Sequence, residues 1–99
     1  MAKVIHINAK EKKVEVKEAK TLEEMQALVG GYIERVAYIK GLGASSLTVD
    51  EEGLMKGYDH GFTMDGHQFM GNGFIGTLGK SDVKVTVEQV TPRIVFYPR

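Results

Sequence analysis

Residues 21–36 read TLEEMQALVGGYIERV and join a helix signal to a strand signal across two glycines. Thr21-Leu22-Glu23-Glu24 is a capping box. The Thr21 hydroxyl can accept from the third helical N–H, and Glu24 can reach back to the cap. Leu22, Met25, Leu28 and Val29 then share one helical face. Gly30-Gly31 ends the helix, because glycine takes the left-handed terminating conformation without strain. A helix this short does not persist alone, so it must pack on a sheet. Tyr32–Lys40 (YIERVAYIK) follows as a long strand rich in aromatic and β-branched residues. Ile33, Ala37 and Ile39 lie on one face and Tyr32, Val36 and Tyr38 on the other, which predicts a central strand buried on both sides.

N-terminal to this stretch, Lys3–Asn8 reads as a strand, with Ile5 and Ile7 on one face and Val4 and His6 on the other; His6 is expected to be solvated. Lys13–Lys17 alternates, with Val14 and Val16 inward. The polar link at 9–12 makes the two a hairpin. C-terminal to the stretch, Gly41-Leu42-Gly43-Ala44-Ser45 reads as a loop. Leu47–Val49 is a short strand closed by the turn Asp50-Glu51-Glu52-Gly53. All 12 glycines fall between Gly30 and Gly79. The six from Gly61 onward mark one irregular segment, expected as an excursion at one end of the sheet. Within it, short strands at Gln68–Met70 and Gly73–Thr77 are expected to form a hairpin through Gly71-Asn72-Gly73. Val83–Val90 alternates as cleanly as any segment and predicts a strand. Thr91-Pro92 breaks it, and Arg93–Tyr97 is a last strand, placed at an edge by Pro92 and Pro98.

These elements define an α+β fold: a single small domain over residues 1–99, with a mostly antiparallel sheet of roughly five to seven strands and one short helix (21–29) packed on one face. Residues 80–99 read as an added C-terminal strand pair. The length suits one modest core.

Thirteen basic residues balance thirteen acidic ones, so no overall field attracts nucleic acid, which is not expected as a partner. Residues 1–20 and 80–99 are mildly basic. Residues 21–79 hold three basic and eight acidic residues and are therefore acidic. The absence of cysteine excludes disulfides, a thiolate nucleophile and thiolate-bound zinc. The N-terminus lacks the apolar run of a signal peptide, and no run approaches the roughly 20 residues of a membrane helix. No membrane association and no cofactor are expected.

Gly71-Asn72-Gly73-Phe74-Ile75-Gly76 has the spacing of a dinucleotide fingerprint. That mechanism needs a following helix whose N-terminus holds the pyrophosphate, and no helix-length segment follows the motif. The motif reads instead as a glycine-bearing hairpin. Asp59, His60, Asp65 and His67 carry metal-ligand chemistry without a recognised spacing. Tyr58, His60, Phe62, Met64, His67 and Phe69 lie in the irregular segment and are the candidate ligand contacts, because binding concentrates on loops held by a scaffold. The other aromatics, Tyr38 among them, are expected in the core. Ser45, Ser46 and Ser81 have no neighbours that would activate them.

Three stretches carry a resemblance: Leu28-Val29-Gly30-Gly31-Tyr32-Ile33-Glu34, Asp50-Glu51-Glu52-Gly53-Leu54-Met55-Lys56-Gly57, and Gly73-Phe74-Ile75-Gly76-Thr77-Leu78-Gly79. In this order, over roughly residues 3–79, the chain resembles a family of small proteins of unknown function encoded by bacteriophages and mobile elements, with VGGYIE and NEEGKLKG turns and a closing GT strand. Asp50 stands where that pattern has Asn. The resemblance implies an accessory role in the cytoplasm of a bacterial host, with no activity or functional residues to carry over.

Three functions follow as expectations. The first is a non-enzymatic binding or inhibitor module acting on a host or phage protein. The second is a small-ligand or nucleotide binder using the glycine-rich segment 58–79. The third is a metal-dependent hydrolase at Asp59, His60, Asp65 and His67. An exposed apolar edge over strands 83–97 further suggests a homo-oligomer.

Overall fold

Alternation in the first strand sorts its side chains onto two different cores. The computed structural model describes residues 2–77 and 81–98, so Leu78, Gly79 and the start of the 80–99 segment lie outside the described residues. β1 (Lys3–Asn8) sends Ile5 and Ile7 to one side and Val4 and His6 to the other, and it pairs with β2 (Lys13–Glu18) as the sequence predicts. Val14 packs on the core, whereas Val16 stays exposed.

The helix α1 (Leu22–Val29) begins at Thr21 with both halves of the capping box formed and ends at Gly30, which is left-handed at φ 94°. Met25, Leu28 and Val29 pack on Val4, Ala19 and Phe74. Leu22 is exposed. The expected strand 32–40 is shorter: β3 (Ile33–Val36) stops where the chain bends to bury Ile39. It is an edge strand, not a central one, and Tyr32 and Tyr38 are exposed.

β4 (Ser46–Asp50) pairs with β3, and β7 (Gly73–Gly76) lies between β4 and β1. The large sheet therefore runs β2-β1-β7-β4-β3, antiparallel throughout. A second sheet of β5 (Gly61–Met64), β6 (His67–Met70) and β8 (Ile94–Tyr97) runs β6-β5-β8. The protein is a small α+β domain of eight strands in two antiparallel sheets. Helix α1 covers one face of the large sheet; the second sheet covers the other through Phe62, Met64 and Phe69 against Ile5, Ile7, Leu47 and Ile75.

The glycine-rich segment is no excursion: it supplies the central strand β7 and two strands of the second sheet. Its expected hairpin at 71–73 does not form, because β6 and β7 belong to different sheets. Asn72 instead accepts from the Ala9 N–H at 2.8 Å, tying the crossing to the first hairpin. Gly73 and Gly76 of the fingerprint-like motif are packing positions. A Cβ there would meet Phe62 Cζ at 3.0 Å and Val4 Cγ1 at 2.8 Å.

Val83–Val90 does not form the expected strand. Residues 83–86 belong to neither sheet: the Val83 N–H donates to the Lys3 carbonyl at 2.9 Å, the chain bends at Val85, and α2 (Val87–Val90) follows, capped by Thr86 with Gln89 reaching back. A 3-10 turn at Thr91–Arg93 leads into β8, so 80–99 is not a strand pair. Val83, Val85 and Val87 all pack against the core. The alternation reports that burial, which a chain can achieve without the ladder partners of a strand.

His6 is buried, not solvated. Its Nε2 lies 2.8 Å from the Leu28 carbonyl, so Nε2 carries the proton and donates. The bond satisfies one of the carbonyls that the end of α1 leaves free. Nδ1 is buried without a partner. Burial, the largest influence, holds the imidazole below its ordinary value of 6.5 despite the Leu28 bond. The unfolded chain thus binds the proton more readily, and His6 favours folding fully above pH 6.5 and less as pH falls below it. The melting temperature should drop between pH 7.5 and pH 5.5, and His6→Gln, which can still donate to Leu28, should flatten that drop. An unchanged slope in calorimetry of the variant would contradict this role.

Candidate functional site

The turn between β4 and β5 is fastened on two sides, to the end of α1 and to β6. Asp50 ends β4 on the α1 side of the sheet with its side chain fully buried. Its Oδ2 accepts from Lys56 Nζ and from the Tyr58 hydroxyl, each at 2.8 Å, and its Oδ1 accepts from the Glu52 N–H at 2.9 Å. Lys56 Nζ also donates to the Gly30 carbonyl at 3.1 Å, placing an ammonium at the C-terminal end of α1, where the helix dipole favours it. Gly31 has to be glycine for this approach, since a Cβ would sit 2.2 Å from Lys56 Nζ. Burial alone would raise the Asp50 carboxyl. The bonds from Lys56, Glu52 and Tyr58 together outweigh it and hold the group below its ordinary range.

At its other side the turn is pressed against β6: a Cβ on Gly53 would lie 2.7 Å from the Met70 carbonyl oxygen. Between these fastenings stand Leu54, 82% exposed, and Met55, 79% exposed. Large apolar side chains held outward on a braced turn are unusual for a structural turn, which gains nothing from exposing them.

They border a groove of about 360 Å³ at the open mouth between the two sheets, where edge strand β3 faces edge strand β6. Val36, Val49 and Phe69 line its apolar part, with Tyr38 at one side. Tyr38, 56% exposed, sits edge-on to His67 at 4.9 Å and stacks with Phe69 at 6.4 Å; Phe69 in turn packs on Phe62 at 5.4 Å. The aromatic series runs from core to surface. Glu34 and Glu51 line the groove, no Lys or Arg does, and neither carboxylate is in an ion pair among the described residues.

The residues proposed from sequence are dispersed. Phe62 and Met64 are fully buried and belong to the core, because β5 is the middle strand of the second sheet and points them at the first. Phe69 lines the groove from below, and His67 stands outside it against Tyr38. The Tyr58 hydroxyl is spent on Asp50, and its ring lies 5.2 Å from that of His60. The four candidate metal ligands do not converge: His60 Nδ1 pairs with Asp59 Oδ1 at 3.0 Å, while Asp65 is bound by Arg93, whose Nε donates at 3.0 Å. Arg93 holds the Asp65 carboxyl below its ordinary range. Among the described residues no group of three or more His, Asp or Glu could hold a metal ion.

Sequence reasoning missed Leu54, Met55 and Tyr38 as surface residues. The signal was available: an adjacent Leu-Met pair inside a glycine-bounded, acidic turn has no core-facing periodicity.

The fold and groove define a small two-sheet α+β scaffold with a braced, apolar-tipped turn. The chain belongs to the family described as Domain of unknown function (DUF3846), which matches residues 1–95. That match takes in α2 and the first half of β8. Comparison with curated proteins and with solved structures found no match. Among the described residues no helix is long and apolar enough to cross a membrane.

Proposed function

We propose that this protein is a non-enzymatic binding module whose recognition surface is the groove between β3 and β6 together with Leu54 and Met55. The observation that carries this reading is the braced turn: Asp50, Lys56, Tyr58 and Gly53 hold two large apolar side chains in solvent beside an apolar groove. A surface fixed in advance loses little entropy on binding, which is how a small module reaches useful affinity.

The occupant is an extended segment of a partner protein carrying apolar residues and at least one Lys or Arg. β3 is the open edge of the large sheet and can accept an added strand, whose alternate side chains would enter the groove. Glu34 and Glu51 supply the charge for a basic residue. In keeping with the phage and mobile-element proteins the chain resembles, the partner would be a host or phage protein in a bacterial cytoplasm, and binding would inhibit or modulate it.

Capture from bacterial lysate with the wild type and with Leu54→Ser/Met55→Ser tests this reading. A discrete protein retained by the wild type should be lost by at least about tenfold from the variant, since fully burying a Leu or Met side chain is worth about 1.5–3 kcal/mol and tenfold corresponds to about 1.4 kcal/mol. Both side chains are exposed, so the variant should melt at the wild-type temperature. Equal retention by the two proteins would overturn the assignment of the surface.

A further inference from the structure

We infer that the loop joining β3 to β4 is a binding site for the phosphate group of a small molecule. Residues 21–79 contain only three basic residues against eight acidic ones, yet two of the three, Arg35 and Lys40, line one hollow of about 270 Å³ at this loop. No carboxylate lines it, and neither cation is in an ion pair among the described residues. The nearby acidic side chain Asp65 is already taken by Arg93, which also donates to the Lys40 carbonyl and so braces the loop from behind.

The loop backbone suits an oxyanion. Gly41 and Gly43 are left-handed at φ 79° and 63°, and such turns present successive N–H groups on one concave side. Among the described residues the N–H groups of Gly41, Gly43 and Ala44 have no backbone acceptor, whereas that of Ser45 is spent on the Leu42 carbonyl. Ile39 and Leu42 are buried in the core at either side of Gly41, so the loop is formed before any ligand arrives.

An independent observation points to a missing partner. Ser45 lines the hollow, is only 7% exposed, and its buried Oγ makes no hydrogen bond. A hydroxyl left unsatisfied costs stability unless something uses it, and a turn about the Cα–Cβ bond of Ser45 would offer it to a phosphate oxygen in the hollow. The hollow is near the lower end of small-molecule pockets and exceeds what a bare ion needs. The shared chemistry is a phosphate group; inorganic phosphate and a nucleoside monophosphate are its two sources.

Amide chemical shifts should be followed while inorganic phosphate or adenosine monophosphate is added at constant ionic strength. Saturable shifts of Gly41, Gly43 and Ser45 are expected with at least one of them. Equal affinities would mean that the phosphate alone is held; a tighter nucleotide would mean that the hollow also takes the remainder. Arg35→Ala/Lys40→Ala should weaken binding by about tenfold or more, because charge-assisted bonds to phosphate are the strong ones. Ser45→Ala should weaken it by a smaller factor with no fall in melting temperature, the opposite of what a structural hydroxyl would give. Linear, unsaturated shifts with both ligands, or binding unchanged in the Arg35/Lys40 variant, would overturn the site.

Discussion

Phe62→Ala should lower the unfolding free energy by about 3–5 kcal/mol, the range for emptying a large aromatic site in a core. The ring is completely buried and packs on Phe69, and the space it fills exists because Gly73 on the facing strand has no Cβ. Neighbouring strands in two different sheets would have to close the void, and neither can move alone. Urea denaturation of the wild type and variant measures the loss, and Phe62→Leu should fall between them. A variant as stable as the wild type would mean that Phe62 is a surface contact after all.

Asp50→Ala should cost about 2–4 kcal/mol, because it leaves the Tyr58 hydroxyl and the Glu52 N–H, both packed around a buried carboxylate, without their acceptor. Asp50→Asn should cost less. A carboxamide presents its single oxygen either to Glu52 or to Lys56 and Tyr58, but not to both sides as the carboxylate does. The folded carboxyl lies below its ordinary value of 3.8, so its contribution is complete above that pH and is lost as pH falls further, toward the folded value. Acid unfolding of Asp50→Asn should therefore be shallower in that range. Identical acid profiles for wild type and variant would contradict the network.

The parts of this fold that sequence discloses are those where one local signal has one meaning. Thr21 through Gly30 carries a cap, an apolar face and a stop, and the helix forms there. Lys3–Asn8 and Lys13–Glu18 alternate and pair. Val83–Val87 alternates too, but without strand partners; the Thr86-x-x-Gln89 cap that starts α2 has the same logic as Thr21–Glu24 and lies hidden within the valine alternation. Tyr32 and Tyr38 add a second apolar face to the stretch 32–40, which suggests burial on both sides, whereas those rings are exposed at either end of edge strand β3. The candidate surface was hardest to see because it is assembled from β3, the 51–57 turn and β6, which sequence keeps far apart. Phe69 was reached from its position in the irregular segment. Leu54 and Met55 needed the braced turn, and that brace depends on Asp50 meeting a lysine and a tyrosine across the end of α1.

A photoreactive residue placed at position 54 tests the central claim most directly, with the same residue at exposed Val16 on the far edge strand as its reference. Irradiation in a bacterial lysate should give one discrete covalent adduct from position 54 and none from position 16. Adducts of equal yield from both positions, or from position 16 alone, would contradict the assignment of the groove and its apolar turn as the recognition surface.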